Sequence, residues 1–128
     1  MLLVEDEPFV REATCRTLEK AGFEVLPAGD AQEAMQAYER RHGKVDLLMT
    51  DMTLPGRSGR QLSQDLRISS AEIPVLLTSG YIENDWERQP RESRMYFLPK
   101  PYTRTELVQA MEKIFGSAAL RKSATQAS

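Results

Sequence analysis

Short runs of valine, leucine and methionine alternate along this chain with segments whose apolar residues recur at helical spacing. That alternation restricts the fold more than any other feature. Leu2 to Val4 reads as a first strand. Pro8 suits the first turn of a helix, where its missing N–H goes unneeded. Val10, Ala13, Thr14, Thr17, Leu18 and Ala21 then share one helical face, and Gly22 ends it. Phe23 to Leu26 is the second expected strand. Asp30 and Glu33 open a second helix as a capping-box-like pair, with Ala31, Ala34, Met35 and Tyr38 inward and Gly43 at its end. Val45 to Thr50 is the third strand. Its continuous Leu47-Leu48-Met49 suits a strand covered on both faces. After the Leu54-Pro55-Gly56 loop, a third helix is expected from Gly59 to Ile68, burying Leu62 and Leu66. Pro74 to Thr78 and Met95 to Leu98 are the fourth and fifth strands. Between them Ile82 and Trp86 permit one helical turn, which Pro90 and crowded charges oppose extending. A short or irregular fourth helix is therefore expected over 82–94. Thr103 and Glu106 cap the last helix, whose inner face is Leu107, Val108, Met111, Ile114 and Phe115.

Strands and helices in this order predict an α/β fold with a parallel sheet, its crossovers right-handed. For five strands the leading arrangement is flavodoxin-like and doubly wound, in the order 2-1-3-4-5. One domain is expected over 1–116, followed by a flexible polar tail over 117–128. With 17 basic and 19 acidic side chains, the chain lacks the basic footprint of a direct nucleic-acid binder. No apolar run approaches the roughly 18 residues that span a bilayer, so no membrane contact is expected. The single Cys15 fits a reducing, cytoplasmic setting.

The polar residues at the strand ends carry the chemistry. Glu5 and Asp6 end the first strand, Asp51 ends the third, Ser79 follows the fourth and Lys100 follows the fifth. In the order 2-1-3-4-5 those strands are neighbours roughly 5 Å apart, so their carboxyl-end side chains converge on one crevice. Three adjacent carboxylates repel one another unless one takes a proton or a cation joins them. Oxygen donors alone favour a hard ion such as Mg²⁺. Set against Lys100, the three acids leave a charge of −2, which Mg²⁺ neutralises before an anionic phosphoryl group arrives. Asp51 is then placed to attack phosphorus and form an acyl phosphate. Lys100 and the Ser79 hydroxyl would meet phosphoryl oxygens.

Four stretches fall in order at these strand ends: Val4-Glu5-Asp6-Glu7-Pro8, Thr50-Asp51-Met52-Thr53-Leu54-Pro55-Gly56-Arg57-Ser58-Gly59, Leu77-Thr78-Ser79-Gly80-Tyr81 and Leu98-Pro99-Lys100-Pro101-Tyr102. Together they resemble the receiver domains of bacterial response regulators, over about Leu2 to Phe115. The resemblance implies that Asp6 and Asp51 bind Mg²⁺ directly, with the Thr53 backbone carbonyl as a third ligand and Glu5 acting through water or a hydrogen bond. It implies Ser79 and Lys100 as phosphoryl contacts, a Lys100-Pro101 bond often cis, and phosphate received from a phosphohistidine and later self-hydrolysed. Ser79 and Phe97 occupy the switch positions, where Phe97 replaces a frequent tyrosine. Glu5 replaces the commoner aspartate, and Ser58 stands where an aspartate is often found. Expected partners are a histidine kinase or histidine phosphotransfer domain, and a second receiver as a homodimer. The Thr-Ser-Gly-Tyr stretch resembles receivers at the C-termini of hybrid histidine kinases, so tethering through a larger sensor kinase is expected.

Taken singly, each residue has a plainer explanation. Glu5 and Asp6 suit a helix N-terminus by its dipole. Ser79-Gly80 suits an ordinary turn, and a lone lysine is usually a solvated charge. Two other functions compete with the phosphorylation switch. One is a phosphorylation-independent pseudo-receiver, against which Asp51, Ser79 and Lys100 all argue. The other is a metal-dependent phosphohydrolase, since Asp51-x-Thr53 loosely resembles the nucleophile motif of haloacid-dehalogenase-type enzymes. In those enzymes the nucleophile follows the first strand rather than the third.

Overall fold

The computed structural model describes residues 1–80 and 94–116. The expected short helix after the fourth strand, apart from Arg94, and the polar tail lie outside them. The elements are β1 (Leu2–Val4), α1 (Pro8–Lys20), β2 (Leu26–Ala28), α2 (Ala31–Arg40), β3 (Leu48–Asp51), α3 (Gly59–Ser69), β4 (Val75–Ser79), β5 (Met95–Pro99) and α4 (Arg104–Phe115). The five strands form one parallel sheet in the order β2-β1-β3-β4-β5, as expected. No helix among the described residues is long and apolar enough to cross a membrane.

Side chains alternate across a strand, so each strand feeds two cores. Leu2 and Val4 of β1, Leu48 of β3, and Val75 and Leu77 of β4 point to one face. There they meet Ala31, Ala34 and Tyr38 of α2 and Leu62 and Leu66 of α3. Leu3, Met49 and Leu76 point to the other face, onto Leu18 of α1 and Leu107 and Met111 of α4. This two-sided burial is why the strands read as unbroken apolar runs.

Three helix starts are fixed by side chains. Ser58 and Gln61 form a reciprocal capping box at α3, as do Thr103 and Glu106 at α4. The Ser58 box was legible as S-x-x-Q but is not among the sequence expectations. At α2 the Asp30 carboxylate accepts the Glu33 N–H at 2.8 Å. Glu33 answers one residue early, its carboxylate accepting the Gly29 N–H at 2.9 Å.

The second strand departs from expectation. It runs over Leu26–Ala28 instead of Phe23 to Leu26, pairing Leu2 with Leu26, Leu3 with Pro27 and Val4 with Ala28. Because β2 is an edge strand, Pro27 is tolerated within it. Phe23 and Val25 instead pack onto the α1–α4 core from irregular backbone, Phe23 with its ring 5.6 Å from that of Phe115. The third strand starts at Leu48 rather than Val45, because Asp46 is exposed and Val45 turns back to bond Gly43. The fourth runs one residue further than expected, so Ser79 is its last residue rather than its successor.

Candidate functional site

Strand register brings the polar residues together. Val4 pairs with Thr50, which sets Glu5 beside Asp51. Asp51 pairs with Thr78, and Ser79 with Pro99, the residue before Lys100. The Lys100 N–H donates to the Ser79 carbonyl at 2.8 Å, continuing that pairing past the strand. All these residues lie at the carboxyl edge, where the winding from β1 divides toward β2 on one side and β3 on the other.

Carboxylate oxygens of Glu5, Asp6 and Asp51 lie within 4.8 Å of one another. Glu5 and Asp51 are buried and Asp6 is exposed, so the cluster is floored by protein and open to solvent at one corner. The Lys100 ammonium bridges the two buried acids. It donates to Glu5 Oε1 and, at 2.9 Å, to Asp51 Oδ2. The other Asp51 oxygen, Oδ1, accepts the Thr53 N–H at 3.1 Å. Glu5 Oε2 accepts the Glu7 N–H at 3.3 Å.

Electrostatics follow from this packing. Burial pushes the Glu5 carboxyl above its ordinary value, opposed by the Lys100 hydrogen bond. Burial also works against the Lys100 ammonium, but its hydrogen bonds to Glu5 and Asp51 outweigh it and hold the lysine above its usual range. The Lys100-Pro101 peptide is cis. One residue on, Tyr102 is tied to α1 by a hydroxyl–hydroxyl bond of 2.7 Å to the buried Thr14. Burial raises the Tyr102 phenol, and the Thr14 bond works the other way.

The structure thus assembles Glu5, Asp6, Asp51 and Lys100 in one cluster. Ser79 stands buried on the adjoining strand end, and Thr53 reaches the cluster through its backbone. Phe97 lies apart from the cluster. It sits within β5, opposite Leu77, partly buried against the α2–α3 core. The donor set suits a hard divalent cation: every candidate ligand is oxygen, and the acids outnumber the one ammonium among them.

One steric requirement escaped the sequence reading. Gly59, the first residue of α3, lies against the Asp51 backbone, and a Cβ there would sit 2.0 Å from the Asp51 carbonyl oxygen. The Gly59 N–H also donates to the Met52 carbonyl at 3.0 Å. The loop after β3 can return to the sheet this closely only with glycine at that point. The sequence carried this glycine as the last residue of the Asp51 stretch and at a helix start, with nothing to show its close approach to Asp51.

Known proteins are similar to this chain in sequence and fold. The response regulator receiver domain family matches residues 1–112. Sensor kinase CckA of Brucella abortus (strain 2308) is 33% identical over 115 residues, 89% of this chain but 12% of that kinase. The phosphate regulon regulator PhoB of Pseudomonas aeruginosa is 32% identical over 117 residues, 89% of this chain and 50% of that protein. The chain therefore spans half or less of the length of either relative. The crystal structure of a receiver domain from the hybrid histidine kinase CckA superposes with a TM-score of 0.76 at 35% identity, covering 88% of this chain and 95% of that one. The Vibrio cholerae chemotaxis protein CheY4 shares the fold, with a TM-score of 0.80 at 22% identity over 89% of this chain and 96% of that one. A sheet wound in this order, with acids and a lysine gathered at its carboxyl edge, accords with the family match, and the chain belongs to the response regulator receiver domains of two-component systems.

Proposed function

We propose that this receiver is a Mg²⁺-dependent phosphorylation switch whose acceptor is Asp51. The observation that carries the reading is the position of the Asp51 carboxylate. It is buried at a strand end, within 4.8 Å of two further acids and in contact with Lys100. Asp6, Asp51 and the Thr53 carbonyl would hold the cation, with Glu5 acting through its hydrogen bonds. Bound there, Mg²⁺ supplies positive charge against the phosphoryl oxygens.

The donor we infer is a phosphohistidine on a histidine kinase or a histidine phosphotransfer domain. An Asp51 carboxylate oxygen attacks phosphorus. The new O–P bond forms as the P–N bond breaks, and the imidazole nitrogen leaves with the bonding pair. Lys100 already touches Asp51 Oδ2, so a small movement transfers its ammonium to a phosphoryl oxygen. Ser79, at the end of the adjoining strand, would donate its hydroxyl to another, and Phe97 would respond to that movement. Beside Lys100 lies an apolar concavity of about 520 Å³ lined in part by Phe9, Val10, Ala13, Pro101 and Tyr102. Phe9 is 89% exposed there, which gives a donor domain an apolar contact next to the acceptor. Similarity to a hybrid-kinase receiver supports a place in a cytoplasmic phosphorelay, tethered to a larger sensor kinase. Homodimerisation with a second receiver is the other partnership we propose.

Beryllofluoride, a phosphoryl stand-in, tests the site without hydrolysis. With Mg²⁺ present, wild type is expected to show saturable amide shifts around residues 51, 79 and 100, and Asp51→Ala none. Shifts of equal size in Asp51→Ala, or none in wild type, would contradict the assignment. A phosphorylation-independent interaction module is the alternative, and partner binding that survives Asp51→Ala unchanged would favour it.

A further inference from the structure

Arg11 lies one turn into α1. Its Nη1 donates to the Glu5 backbone carbonyl at 2.7 Å. That carbonyl belongs to the peptide joining Glu5 to Asp6, and a peptide is a rigid plane. Holding its oxygen therefore sets the direction in which both acids leave the strand. In the preceding peptide, between Val4 and Glu5, the Glu5 N–H donates to the Ala28 carbonyl at 3.0 Å. Glu5 is thus held through its N–H, its carbonyl and its carboxylate, and the Arg11 bond, falling on the peptide shared with Asp6, constrains Asp6 as well.

The guanidinium has a seat. An alanine Cβ at Gly29 would lie 3.1 Å from Arg11 Nη1 and 3.8 Å from its Cζ. The Glu33 carboxylate is 3.7 Å from the same point and accepts the Gly29 N–H. Gly29 is not among the glycines with positive φ, so alanine there strains no backbone and acts only through the space Arg11 occupies.

We propose that Arg11 is a positioning residue for the cation site, orienting the Glu5–Asp6 peptide, and that Gly29 keeps its seat open. The proposal rests on the Mg²⁺-dependent reading given above. Its sign separates it from simple electrostatics. Removing a cation beside a Mg²⁺ site tightens Mg²⁺ binding if charge alone matters. Loss of a group that orients metal ligands weakens it.

Mg²⁺ titrations followed by amide shifts, on wild type, Arg11→Met and Gly29→Ala, test the proposal. Thermal melts in chelator report folding separately. Arg11→Met is expected to weaken Mg²⁺ binding by up to about ten-fold. Gly29→Ala, which changes no charge, is expected to weaken it in the same direction, and the double variant to add little to Arg11→Met alone. Arg11→Lys, which keeps the charge, is expected to remain weaker than wild type because an ammonium does not fill the planar seat. Mg²⁺ binding by Arg11→Met as tight as wild type or tighter would overturn the proposal. Wild-type affinity in Gly29→Ala would overturn the role given to that glycine. Failure of wild type itself to bind Mg²⁺ would instead remove the reading beneath both.

Discussion

Gly59→Ala is expected to lower the melting temperature by roughly 10 °C, corresponding to about 3 kcal/mol lost. A Cβ at this position would lie 2.0 Å from the Asp51 carbonyl oxygen and 2.9 Å from its carbon. The obstruction is backbone, not the far end of a flexible side chain. Relief requires either α3 to back away or the end of β3 to move. Leu62 and Leu66 anchor α3 in the core, and Asp51 is paired with Thr78 in the sheet, so both routes break packing or hydrogen bonds. Because the end of β3 carries the Asp51 carboxylate, phosphoryl uptake by the folded fraction should fall as well. A thermal melt together with single-turnover phosphorylation measures both effects. A melting temperature equal to wild type would show that the loop relaxes more easily than its packing implies.

Lys100→Met is the second substitution with a large expected effect, and the one whose consequences diverge. In the wild type, the ammonium meets the Glu5 and Asp51 carboxylates while being largely buried itself. Removing it leaves two buried carboxylates unpaired. The expected loss in chelator is about 3 kcal/mol, the lower end for breaking a buried pair, because Asp6 opens the cluster to water. Added Mg²⁺ should then stabilise Lys100→Met more than wild type, since no ammonium competes with the ion for the Glu5 and Asp51 carboxylates. If Lys100 has the role proposed for it, phosphoryl uptake should nevertheless fall roughly 100-fold, because a proposed donor to the phosphoryl oxygens is gone. Melts with and without Mg²⁺, paired with phosphodonor kinetics, separate the two roles. An equal or smaller Mg²⁺ stabilisation in Lys100→Met would contradict the charge balance described here.

Most of the architecture was legible because strand and helix periodicities agreed with the punctuation. Gly22, Gly43 and Gly116 fall just beyond helix ends, and Asp30 and Thr103 fall at helix starts. The second strand was misread for a physical reason. Phe23 and Val25 have strand propensity, yet their burial comes from packing on α1 and α4, while ladder pairing falls on Leu26-Pro27-Ala28. An edge position excuses the proline, and edge position is a property of the sheet that no local window contains. The acids and the lysine were legible because each closes an apolar run, so the sheet order alone brings them together. Arg11 and Gly29, to which we assign a positioning role, were not legible in the sequence, and Gly59 was legible only as a motif glycine, not as a close approach to Asp51. Their roles depend on close approaches across elements, such as the guanidinium of α1 against Gly29 after β2, which leave no periodicity in the chain. The Thr14–Tyr102 bond spans 88 residues and is hidden for the same reason.

Whether Asp51 takes up phosphate is most directly settled by the intact mass of the protein after incubation with Mg²⁺ and a small-molecule phosphodonor. Wild type is expected to gain the mass of one phosphoryl group, and to gain none when Mg²⁺ is chelated or Asp51 is replaced by alanine. Equal labelling of Asp51→Ala, or an unmodified wild type that also fails to bind beryllofluoride, would contradict the account.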